Sequence, residues 1–207
     1  GLVDTWWKQA ALKANAGEKE TALRQLMWLW AVQPKDARFS MRAGQLLVDI
    51  GEPAAARRAL SDSLAIDDTG ADVWRALARA CNDLEEWRCA ADARSRHLAL
   101  QESPTLQDWM AGARAWRKAG DLDEVVALWR DAVKRQDDQP THYYHLAGSL
   151  RETGETDAAV GYARLAWNLA PGDANIALLL GELYGARAED ESAAAIYRAA
   201  LQSNPGD

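Results

Sequence analysis

An all-α chain built by repetition is the fold class this sequence predicts, and three observations predict it. Cut at Val3, Ala37, Ala71, Leu106, Pro140 and Ala174, the 207 residues fall into copies spaced 34, 34, 35, 34 and 34 apart, with like residues in like columns. The eighth column is small in every copy, Ala10, Gly44, Ala78, Ala113, Ala147 and Gly181, and the twentieth holds Ala22, Ala56, Ala90, Val125, Ala159 and Ala193. The fifteenth is glycine in four of six copies, and glycine can take the left-handed conformation that ends a helix. Between that glycine and the end of each copy, apolar residues recur at three and four, so each copy reads as helix, short turn, helix, turn.

The copies justify themselves in order. The first, 3–36, has Trp6 in the aromatic fourth column, Gly17 at its turn, and closes on "WAVQPKDA" from Trp30. The second, 37–70, departs with Ser40 in the aromatic column, keeps Gly51, and has Asp68 where a proline is expected. The third, 71–105, has Trp74, Glu85 in the glycine column, Arg94 in a second aromatic column and Glu102 at the proline position. The fourth, 106–139, has Trp109, Trp116, Gly120 and Trp129. The fifth, 140–173, has Tyr143 and Gly154 and closes on "WNLAPGDA" from Trp167, nearly the phrase that closes the first. The sixth, 174–207, has Gly181, Tyr184, Tyr197 and Pro205. In both closing phrases the tryptophan is expected to be buried and the proline to block further helix.

This set of period, aromatic, small, glycine, alanine and proline columns resembles the tetratricopeptide repeat family, over Val3 to Pro205. The resemblance implies a right-handed superhelical solenoid of six helix-turn-helix repeats. Small residues let paired helices approach, and each pair buries its apolar face on the next. Trp6, Trp74, Trp109, Trp116 and Trp129 are then expected to be core. Trp7 is expected on the groove and Trp28 on the outer surface, against a preceding repeat.

Composition limits the function classes. A formal charge of -7 and a pI near 5.1 argue against broad contact with nucleic acid or an anionic membrane. No apolar run is long enough to cross a bilayer, so this segment is not expected to insert. No phosphate loop, nucleophile elbow or strand to carry one is present, and no enzyme activity, cofactor or metal is expected. His142 and His145 are three apart on one helix, but no further ligand accompanies them. The pairs Asp67–Asp68 and Asp137–Asp138 fall in turns, where capping of the next helix is the expected role. Cys81 and Cys89 fall on the two helices of one repeat, where buried free thiols are expected and a bridge is the alternative.

By the same resemblance, columns 2, 5, 9 and 12 line a concave groove that holds a partner's peptide. Column 5 reads Trp7, Met41, Arg75, Met110, Tyr144 and Leu178. Columns 9 and 12 add Arg79, Arg114, Arg117 and Arg151, with Lys118 nearby. The candidate partner-binding residues are therefore Trp7, Met41, Arg75, Arg79, Met110, Arg114, Arg117, Tyr144 and Arg151. Guanidinium grips carboxylate in a bidentate fork, so the expected partner is a protein with an acidic or mixed acidic and apolar segment. The alternatives are an anionic polysaccharide or acidic small ligand in the same groove, and ordinary exposed ion pairs with Asp72, Asp83 or Glu152, each worth about 0.5 kcal/mol. No repeat has the lysine–asparagine pair by which chaperone-binding members of the family clamp a terminal carboxylate.

Arginine outnumbers lysine 18 to 6, a usage that looks bacterial. The tryptophan-rich style is similar to periplasmic repeat scaffolds of exopolysaccharide export, which places the expected site of action on the periplasmic side of a bacterial envelope. The last repeat stops at "QSNPGD" without a polar closing helix, so further repeats of the same parent chain, or self-association, are expected to cover the ends.

Overall fold

The computed structural model describes residues 1–203. Pro205 and the rest of the closing phrase from Asn204 lie outside them. Among the described residues there are twelve helices and no strand: α1 (Leu2–Asn15), α2 (Lys19–Val32), α3 (Ala37–Ile50), α4 (Pro53–Leu64), α5 (Ala71–Asp83), α6 (Trp87–Ala99), α7 (Leu106–Ala119), α8 (Leu122–Arg135), α9 (Pro140–Glu152), α10 (Thr156–Leu169), α11 (Ala174–Ala186) and α12 (Asp190–Ser203). They form two compact units, Gly1–Pro104 with α1 to α6 and Thr105–Asp207 with α7 to α12. In each unit every helix packs on the next in sequence, and first helices of neighbouring pairs also touch, α3 on α5 and α9 on α11.

The turn inside each pair is made by one left-handed residue. Gly17, Gly51, Gly120 and Gly154 have φ of 85, 90, 79 and 84°, and Glu85 and Ala188 take 59 and 58° in the same column. Two helices can then reverse over two or three residues. The small columns explain how closely they pack. A Cβ on Gly44 would stand 2.6 Å from Cγ of Leu60 on α4, and one on Gly181 would stand 2.2 Å from Cζ of Tyr197 on α12. Ala10, Ala22, Ala56, Ala78, Ala147 and Ala159 are wholly buried at the equivalent crossings.

In the first unit Leu26, Leu29, Phe39, Ala43 and Leu46 form one apolar cluster, and Leu60, Val73, Leu77, Ala80 and Cys81 belong to another; Leu23 and Trp30 pack against both. In the second unit Trp109, Trp129, Leu146, Leu150, Leu180 and Leu183 are its largest fully buried side chains.

Several expectations need correction. Of the five tryptophans expected in the core, Trp109, Trp116 and Trp129 are buried, but Trp6 and Trp74 are half-buried. Trp6 leans on Trp28 at 4.8 Å, and Trp74 sends its indole N–H 2.8 Å to the carbonyl of Asp68. Trp30 and Trp167 are likewise half-buried, because an indole is too large to hide entirely in a helix's last turn.

The paired aspartates do not cap helices. Asp67 accepts from the N–H and hydroxyl of Thr69, and the N-cap of α5 is Gly70, while Gln139 holds that place for α9. The caps with side-chain bonds are Asp36 on α3, Thr105 on α7 and Asp173 on α11. Finally, Cys81 and Cys89 are joined in a disulfide between α5 and α6, not left as free thiols. Their Cα atoms stand 5.8 Å apart, well inside bridging range, because the tight turn brings the end of α5 beside the start of α6.

Candidate functional site

Each unit presents the solvent-facing side of its first helices as a surface with a small pocket. In the first unit the pocket, about 230 Å³, is lined by Arg42, Gln45 and Asp49 of α3 and Asp72, Arg75 and Arg79 of α5, among others. Two of its three arginines are met by its own carboxylates, Arg75 donating to Asp72 at 2.7 Å and Arg79 standing 3.8 Å from Asp49, while Arg42 donates to the side-chain amide oxygens of Gln45 and Asn15. Trp7 and Met41 lie half-buried in the same unit, Trp7 tilted against Phe39 at 5.6 Å with the guanidinium of Arg38 over its ring. Met41 packs against the apolar cluster of α3 to α6.

The pocket of the second unit, about 250 Å³, is different in kind. Met110, Ala113, Arg114 and Arg117 of α7, Trp129 of α8 and His145 of α9 line it. The imidazole of His145 stacks on Trp129, centroids 4.5 Å apart and planes 19° from parallel, and Tyr144 meets it edge-on at 5.2 Å. Burial, the neighbouring His142 and the guanidinium of Arg117 push the His145 pKa below the ordinary histidine value. His142 is lowered too, first by burial; it lies within 6.4 Å of Trp109 and 6.0 Å of Trp129. Of the "THYYH" run, Tyr144 and His145 are half-buried and supply aromatic surface, while His142 is buried.

The five candidate arginines divide between the units, Arg75 and Arg79 in the first, Arg114, Arg117 and Arg151 in the second. Arg117 reaches Glu152 at 2.5 Å and Arg151 reaches Glu182 at 2.5 Å, each pair linking successive first helices. Four of the five thus face a carboxylate in exposed pairs worth little each, Arg75 and Arg117 with the expected Asp72 and Glu152 but Arg79 and Arg151 with Asp49 and Glu182, and among the described residues Asp83 pairs with none of them. Arg114 is exposed and makes no ion pair or hydrogen bond among the described residues. Asp49 and Glu182 were not legible as partners, since nothing in a single repeat says which side chain of the next one will lie opposite.

Cys81, Glu86 and Cys89 bring three ligand atoms within 4.8 Å of one another, but both sulfurs are spent on the bridge. His97 is also committed: its Nδ1–H donates to the carbonyl of Ala71, and its Nε2 accepts from Gln101, both at 2.8 Å.

No family model and no curated protein matches the sequence significantly. Solved structures do. YrrB, described as a TPR protein with an unusual peptide-binding site, is 16% identical over 87% of this chain and 93% of that one, with a TM-score of 0.58. A chain of the Naa15/Naa10 assembly bound to HypK-THB is 18% identical with a TM-score of 0.70; the match covers 99% of this chain but only 32% of that longer one. MamA from Desulfovibrio magneticus RS-1 is 14% identical over 83% of this chain and 96% of that one, with a TM-score of 0.54. At these identities the likeness is one of fold.

Proposed function

Because this chain has the tetratricopeptide-repeat fold, we propose that it is a non-enzymatic scaffold, six repeats cut as above, that holds a segment of a protein partner on its first helices. The observation that carries the reading is the make-up of those faces. In one unit half-buried Trp7 lies under the guanidinium of Arg38, and in the other half-buried Met110 lines a pocket with Arg114 and Arg117, with Tyr144 set edge-on against His145 of the same pocket. The described peptide site of YrrB supports the same use of a like fold. An acidic segment with apolar anchors suits such faces, its charge steering approach and its apolar side chains supplying much of the affinity. A polyanionic sugar suits them less, because four of the five arginines already face a carboxylate.

An array of short peptides mixing acidic and apolar residues, screened against the intact chain, tests the proposal. Binding should appear, and replacing Trp7, Met41, Met110 and Tyr144 by alanine should weaken it with little dependence on salt. If no such peptide bound, or the fourfold variant bound as well as the parent, the reading would be wrong.

The proposed setting is the periplasmic side of a bacterial envelope, in an assembly for exopolysaccharide export. Support for the compartment comes from the Cys81–Cys89 bridge, since disulfides persist where the surroundings are oxidising. Support for the assembly is limited to the tryptophan-rich style of the repeats. Alkylation of the native protein drawn from cells, without reductant, tests the compartment: both cysteines should resist labelling until the bridge is reduced.

A further inference from the structure

We infer that Arg114 is the anion seat of this surface, taking one carboxylate of the partner while the pocket beside it takes the neighbouring apolar side chain. The inference rests on the reading of the first-helix faces as a partner-binding site and narrows it to one place and one chemistry.

Three observations converge there. The first is charge. Arg75, Arg79, Arg117 and Arg151 each face a carboxylate of the chain itself, whereas Arg114 is exposed with no such partner. A partner's carboxylate meeting any of the four must compete with Asp72, Asp49, Glu152 or Glu182; meeting Arg114, it displaces only water.

The second is what adjoins Arg114. The same pocket has Met110 and Ala113 on its α7 side and the stacked Trp129 and His145 rings beneath, a polarizable apolar floor next to an open cation. The first-helix pocket of the first unit has no aromatic or methionine floor, only Val48 and Ala76, and its Arg75 and Arg79 face Asp72 and Asp49.

The third is size. About 250 Å³ is below the usual range for a whole small-molecule ligand and is space for a side chain or two. That favours a residue pair within a peptide, an Asp or Glu followed by a leucine-like side chain, over a sugar ring with its substituents.

The test uses the intact chain and a labelled Gly/Ser peptide bearing one Glu-Leu-Leu run, with Gln-Leu-Leu and Glu-Gly-Gly counterparts, read by fluorescence anisotropy. Arg114→Glu should weaken binding of the Glu-Leu-Leu peptide at least about tenfold while leaving the Gln-Leu-Leu peptide nearly unaffected, since only the former loses a charge-assisted bond. Arg114→Lys should fall between, keeping the charge and losing the fork. Arg57→Gln and Arg130→Gln, on second helices and outside both pockets, should change binding less than about twofold. Circular dichroism should show every variant folded, as Arg114 is exposed. If Arg114→Glu bound the Glu-Leu-Leu peptide like the parent while Met110→Ala and Tyr144→Ala weakened it, the seat would be misplaced but the binding face would stand. Failure of the parent to bind any of these peptides, or any peptide of the wider array, would remove both.

Discussion

Glu85 and Ala188 hold the same left-handed turn as the four glycines of their column, at φ of 59 and 58°. An L-residue with a Cβ is strained there, by about 1 kcal/mol or somewhat more. Ala188→Gly should therefore stabilise the protein by about 0.5–1 kcal/mol, read as a higher urea midpoint at unchanged slope; a lower midpoint would mean the turn is not under strain. The glycines made four of the six turns legible. The other two were legible only through the period, because a Glu or Ala carries no local sign of positive φ. His142 and His145 show the opposite case, residues whose type suggested one chemistry and whose surroundings give another. Both have pKa values lowered chiefly by burial, so below the ordinary histidine value of 6.5 the unfolded chain takes up protons that the folded chain refuses. Their contribution to stability is whole above that pH and is lost as pH falls through the range toward the depressed folded values. Melting temperature should drop between about pH 7 and pH 5, and His142→Phe combined with His145→Phe should flatten that drop. An equal drop in the double variant would show that other groups cause it.

At the scale of the element, the helix pair is set by how closely its members cross. The missing side chain of Gly44 is what lets α3 lie on Leu60 of α4, with both Cγ and the backbone N of Leu60 close by. Gly44→Ala should cost about 1–3 kcal/mol through overpacking, despite alanine's better helix propensity, as should Ala147→Leu at its wholly buried position. A Gly44→Ala protein as stable as the parent would show that α4 can move away freely. These crossings were legible because a small residue repeated at a fixed column has few other uses. The caps were less so: Asp67 and Asp68 stand three and two residues before the N-cap Gly70, close enough to suggest capping and too far to perform it. Of the ties between repeats only Glu152 was legible as a partner; Glu86, Glu155 and Glu182 were not. Arg57 to Glu86, Arg130 to Glu155, Arg117 to Glu152 and Arg151 to Glu182 each depend on the rotation of one pair against the next.

For the whole molecule, the chain divides into two compact units, each with its own buried core. Fragments 1–104 and 105–207 should each be helical and melt cooperatively when produced alone, as circular dichroism would show; a fragment without a transition would mean that its core is not sufficient. Only the first contains cysteine. Reduction should lower its stability by about 2–3 kcal/mol, the amount expected for bridging residues eight apart, and should leave the second unchanged.

What the sequence determined by itself was the repeat: its period, its helix pairs, its small crossings and its aromatic filling. Each is a local pattern, written into one copy and then tested by five others, and local periodicity is what burial of one helix face demands. The tertiary structure alone decided that Cys81 reaches Cys89, that Trp6 and Trp74 stay half in solvent, and that four candidate arginines are matched while Arg114 is not. Those outcomes depend on distances of a few ångströms between side chains on different helices. Such distances are set by turn geometry and by the rotation of one pair against the next, and no single copy of the repeat encodes them.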